Sequence, residues 1–150
     1  MSRIKLIHLV FSFLLLYLAS TAIHEYCHLI TLISMGGHGY IYFNKCIILD
    51  LPQNILARDL VYFSGGLGCS LFFLLLRIME EDSENKVITT MISIKEGTYG
   101  ILEGLSFSFN NNTLLVISIP LSLVLMSSYL VYKLFTSEIV LSSLKKILLR

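Results

Sequence analysis

Apolar residues run along the chain in four long blocks, parted by short polar or glycine-rich joints. The first block, about residues 4–35, is closed by Gly36-Gly37. About 20 apolar residues at 1.5 Å each already cross the hydrocarbon core of a bilayer, so the helix predicted here tilts or extends beyond it. It is too long for the apolar region of a cleaved signal peptide and lacks a clear small-residue cleavage site. Residues 39–51 are rich in Tyr, Ile and Phe, are interrupted by Asn44-Lys45 and stop at Pro52, which predicts a short β-hairpin. Backbone of that kind sits at membrane depth only where protein or water covers it.

The second block, about residues 54–79, contains "FSGGLGCSLFFLLL". Gly65, Gly66, Gly68 and Ser70 give this helix a face small enough for a neighbouring backbone to come close. It ends in "EEDSENK", a solvated acidic turn. The third block, about residues 87–109, is the least apolar and carries Lys95, Glu96 and Glu103, with Gly100 and Gly104 spaced as GxxxG. The fourth, about residues 113–135, is a plain apolar helix that Pro120 starts or kinks. Residues 136–150, with Lys145, Lys146 and Arg150, read as an amphipathic helix at the membrane surface. No repeat or low-complexity segment is present. The expected fold is a single all-α membrane domain over residues 1–150, with about four transmembrane helices and a β-hairpin-like segment between the first and second.

Composition supports that reading. Of 150 residues, 55% are hydrophobic and 14% charged, and mean hydropathy is +0.79, whereas a soluble domain is about a quarter charged. The lipid bilayer is thus the expected surrounding. A net charge of +1 gives no case for a nucleic-acid surface. Cys27, Cys46 and Cys69 form no CxxC and are odd in number, so neither a disulfide framework nor a cysteine-rich zinc site is expected. Four spans put both termini on one side with Arg3, Lys5, Arg77, Lys86, Lys133, Lys145, Lys146 and Arg150, against Lys45 and Arg58 opposite. The positive-inside rule then favours cytoplasmic termini.

The polar residues inside the first block carry the chemistry. His24-Glu25-Tyr26-Cys27-His28 is an HExxH pattern. Histidines four apart on a helix project from one face, where two imidazole nitrogens reach one Zn²⁺ at about 2.0–2.1 Å and the Glu lies beside the open coordination position. Such a Glu can take a proton from a metal-bound water, whose pKa falls to about 7. An ionisable group at the centre of a span costs at least about 2.5–3.5 kcal/mol, so three in one turn need a shared partner, and a divalent metal is the simplest. A catalytic zinc site needs a third protein ligand. Asp50 and Asp59 sit near span ends, Glu80, Glu81, Asp82 and Glu84 in the acidic turn, His8 far along its own helix and His38 beyond the Gly-Gly break. Glu96, Glu103 and Asn110 are spaced by seven and share a face of the third block. Glu103, flanked by Gly100 and Gly104, is favoured as the ligand. Glu96 is the runner-up or pairs with Lys95, and Asn110 either meets substrate or ends the helix.

"HEYCH" at the far end of a first transmembrane helix, followed by Gly-Gly and a strand-like segment, resembles the site-2 protease family of intramembrane zinc metalloproteases. "FSGGLGCSLFFLLL" is similar to that family's small-residue segment after the hairpin. The resemblance covers roughly residues 15–80, with a weaker echo at 99–109. It implies a core of three helices, with His24 and His28 as zinc ligands, Glu25 as the water-activating base and an acid on the third core helix as the last ligand. The family's Asn-Pro-Asp-Gly-like motif is absent, so that role passes to Glu103 by position alone. The Gly-Pro-x-x-Asn pattern appears as Gly65-Gly66-Leu67-Gly68-Cys69, without the Asn. The chain therefore resembles a divergent, minimal member, and for such a member the family topology implies termini opposite to those the charge count favours.

The expected activity is a zinc metalloendopeptidase acting on a transmembrane helix of a membrane-protein substrate, which must unwind locally before it is cut. Residues 40–49 offer an edge strand to the unwound stretch. The alternatives are an inactive member that grips transmembrane partners and a metal or haem carrier using His24 and His28. The oligomeric state is not encoded in any pattern found.

Overall fold

The computed structural model describes residues 3–136. Its elements follow as α1 (Arg3–Ser34), β1 (His38–Tyr42), β2 (Lys45–Asp50), α2 (Ile55–Met79), α3 (Ser83–Ser108) and α4 (Asn112–Thr136). The four expected helices and the hairpin are all present, and the tail from residue 137 onward lies outside the described residues.

Each boundary has a local cause. The α1 helix ends in a Schellman closure: Gly36 takes φ +81°, while the Gly37 and Gly36 N–H groups bond the carbonyls of Leu32 (2.9 Å) and Ile33 (3.1 Å). That reversal sends the chain into the antiparallel β1–β2 hairpin, which turns at Phe43-Asn44 with Tyr42 opposite Lys45. Asn54 caps α2 by accepting from the Leu56 N–H at 2.8 Å. The third helix starts at Ser83, four residues before the expected 87, because the Asp82 carboxylate accepts from the Glu84 and Asn85 N–H groups and so closes its first turn. Half of the acidic turn is therefore helix. Pro120 lies inside α4 rather than at its start.

The distribution of side chains is inverted relative to a water-soluble protein. Ser20, His24, His28, Thr89, Ser93, Glu96, Ser106, Ser118 and Ser122 are buried, whereas Leu14, Leu18, Ile30, Leu71, Ile78, Val116 and Val131 face outward. In lipid the outward apolar faces need no cover, and polar groups gain by turning inward. Three helices, Ile7–Ser34, Ile55–Met79 and Asn112–Thr136, are long and apolar enough to cross a membrane. The exception is α3, the polar helix, which packs on α1, α2 and α4 and forms the centre of the bundle. Among the described residues α1 and α4 do not pack on each other; α3 stands between them.

Glycine sets how close α3 comes. Gly66 and Gly100 meet backbone to backbone, leaving no room for a Cβ on either, and Gly104 lies against the Phe63 ring. One turn further on, Ser70 and Ser93 each donate to the other's carbonyl at 2.9 Å. A small apolar core of Cys69, Phe73, Ile88 and Ile92 closes the end nearer the acidic turn.

Candidate metal centre

Ser20, His24, His28 and Leu32 recur at every fourth position of α1 and form its buried stripe. The His28 ring lies directly over Gly65 of α2, where any Cβ would overlap it. Its Nδ1 is 2.7 Å from the Val61 carbonyl. A carbonyl only accepts, so Nδ1 carries the hydrogen and a neutral His28 leaves Nε2 as a lone pair. His24 is fixed in the same way: its Nδ1 is 3.1 Å from Oε2 of Glu96. Oε1 of Glu96 takes hydrogen bonds from Ser20 Oγ (2.7 Å) and Lys95 Nζ (2.6 Å), so the residue is an acceptor on both oxygens. His24 Nδ1 therefore donates, and in the neutral ring its Nε2 also presents a lone pair.

Those two lone pairs meet a carboxylate. His24 Nε2 lies 3.1 Å from His28 Nε2 and 3.1 Å from Oε2 of Glu103, and His28 Nε2 lies 3.4 Å from the same oxygen. With both rings neutral and their tautomers set by Val61 and Glu96, no hydrogen stands between any pair of these three acceptors. A proton on one of them, or a metal ion held by all three, relieves the repulsion. Tetrahedral bonds of about 2.0–2.1 Å place neighbouring donor atoms about 3.3–3.4 Å apart, close to the spacing observed. His24, His28 and Glu103 thus form a group that can hold a metal ion, and three protein ligands leave a tetrahedral ion one open position.

Beside this group lies a cavity of about 190 Å³ between α1, α3 and α4, whose walls include Thr21, His24, Glu25, Lys95, Tyr99 and, from α4, Ser122. The Tyr99 ring stands edge-on to His24 with centroids 5.3 Å apart. Lys95 lies over the Tyr17 ring, 4.7 Å from its centroid. Glu25 lines the cavity, but its Oε2 accepts the Cys46 N–H of β2 at 2.7 Å. Burial, and after it the Glu25 carboxylate, push the Cys46 thiol above its ordinary value.

The expected residues separate cleanly. His24, His28 and Glu103 come together, and Glu25 shares the wall of the adjoining cavity with His24. Glu96 is not the third member of the trio; it is buried, 1% exposed, behind His24 and paired with Lys95. Asn110 ends α3: it takes φ 50°, and the Asn111 N–H reaches back to the Ser106 carbonyl at 2.8 Å. His38 and Asp50 are exposed at the hairpin, and Asp59 accepts from Ser108. Sequence reasoning missed Ser20, the Val61 carbonyl and Tyr99, and read Gly65 as a packing residue only. Ser20 carried a signal, since it lies four residues before His24 on the same face. A backbone carbonyl such as that of Val61 leaves none.

The chain matches no protein-family model, no curated protein and no solved structure.

Proposed function

We propose that the chain is an intramembrane zinc metalloendopeptidase that hydrolyses peptide bonds in or near transmembrane segments of membrane proteins. One observation carries the reading: two imidazole nitrogens and a carboxylate oxygen converge within 3.1–3.4 Å, and outer partners orient both rings. Two histidines, a carboxylate and no thiol are a donor set that suits Zn²⁺. When bound, the ion supplies an acidified water and a positive charge for the developing oxyanion. His24, His28 and Glu103 hold it. Glu96, Ser20 and Lys95 hold the His24 ring, and Val61 and Gly65 set that of His28. Glu25, on the cavity wall, takes the proton of the attacking water and delivers it to the leaving amine. Substrate reaches the cavity from the side where α1 and α4 leave α3 uncovered, as a helix that has unwound locally. In this reading α3 is a fourth crossing, packed against its three neighbours.

A second reading, a non-catalytic membrane protein that grips transmembrane partners, draws on the engagement of Glu25 with Cys46. Haem is not favoured: the two Nε2 atoms are 3.1 Å apart on one side, and axial ligands of one iron must stand on opposite sides of the porphyrin.

The test is metal content with cleavage. Detergent-purified protein is expected to hold one zinc per chain and to cut unfolded casein, whereas Glu25→Gln keeps the zinc and loses at least about a hundredfold in rate. Full activity in Glu25→Gln, or no zinc in the wild type, would overturn the proposal.

A further inference from the structure

The hydrogen bond from Cys46 to Glu25 joins the hairpin to the cavity, and the proposed catalytic role of Glu25 does not by itself account for it. The hairpin closes through a two-residue turn with Tyr42 opposite Lys45, so the next pair, Ile41 and Cys46, turns its amides away from the partner strand. The Cys46 N–H therefore belongs to the outer edge of β2, and it is this edge donor that reaches Oε2 of Glu25 at 2.7 Å. Ile48, opposite Gly39, presents its backbone in the same direction. The outer edge of β2 thus faces α1 at Glu25, itself a residue of the cavity wall. An unpaired strand edge is a template for an added strand.

We infer that the outer edge of β2 receives an extended segment of polypeptide and that Glu25 is its resting occupant. A carbonyl of the incoming segment takes the Cys46 N–H, and Glu25 is thereby released toward the cavity it already lines. Only an unwound segment can make this exchange, because the carbonyls of an intact helix are bonded internally. Substrate pairing and liberation of the base are then one swap of hydrogen bonds, and a folded transmembrane helix triggers neither. The role of the freed Glu25 rests on the proposed peptidase activity; the competition for the edge does not.

The experiment exploits two replacements of Glu25 that both lack the base. The amide of Glu25→Gln still offers an oxygen to the Cys46 N–H, whereas the methyl group of Glu25→Ala does not. Binding of fluorescein-labelled casein, an extended chain, to the zinc-loaded proteins is read by anisotropy in detergent. Glu25→Ala is expected to bind about fivefold tighter than Glu25→Gln, as befits loss of one competing hydrogen bond. Adding Cys46→Pro, which removes the donor at an edge position that tolerates proline, abolishes that gain. Equal affinities for Glu25→Ala and Glu25→Gln overturn the inference, and that comparison stands even where the proline variant fails to fold. Failure of the peptidase reading is seen separately, as intact casein with zinc-loaded wild type.

Discussion

At the scale of single residues the centre is a problem of tautomers. His24 and His28 each have one nitrogen taken by an acceptor, Glu96 and Val61 respectively, which leaves the other nitrogen free toward Glu103. Loss of an outer partner of this kind typically lowers metal affinity by about 10–100-fold. Glu103→Gln is accordingly expected to abolish stoichiometric zinc, while Glu96→Gln weakens binding by about 10–100-fold without abolishing it. Competition with a chromogenic chelator measures both, and the reverse order would reassign the ligand to Glu96. Gly65→Ala, which touches no charged group, is expected to lower zinc affinity at least tenfold, about what a lost outer partner costs, because the Cβ occupies the place of the His28 ring.

Among elements, the contact between α2 and α3 decides whether the centre exists. Gly66 and Gly100 let these two backbones touch, and α3 carries both Glu96 and Glu103 to the stripe on α1. Gly100→Leu drives a side chain into the α2 backbone, and overpacking of this sort costs about 1–3 kcal/mol. Its thermal midpoint in detergent and its zinc content are expected to fall together. Zinc retained at wild-type affinity in that variant would mean that Glu103 reaches the histidines without this packing.

The whole molecule is organised by the solvent outside it. Its polar side chains converge on α3, while leucines, isoleucines and valines cover the outer faces. The chain is therefore expected to stay in the membrane pellet through an alkaline carbonate wash, and its release to the supernatant would contradict the three apolar helices. If α3 is a fourth crossing, tags fused to the two ends are labelled from the same side of intact vesicles. Labelling from opposite sides would leave an odd number of crossings and remove α3 from the count.

Period and composition determined the elements. A run of apolar residues long enough for a bilayer becomes a helix in almost any context, because backbone groups in lipid must bond within their own segment. Gly36-Gly37 and the Tyr/Ile-rich segment after it marked the reversal and the hairpin through short-range conformational preferences. The HExxH spacing put two imidazoles on one face for the same local reason. The choice between Glu96 and Glu103 was not local. The two carboxylates are seven residues apart on one face, and which one meets the Nε2 atoms depends on how far α3 slides along α2 before Gly66 and Gly100 touch. The Val61 carbonyl under His28 and the Cys46 amide on Glu25 were likewise fixed only when separate segments packed. Local preference acts over a turn or two of chain, whereas these partners lie 21 to 79 residues apart, and only tertiary packing brings them within bonding distance.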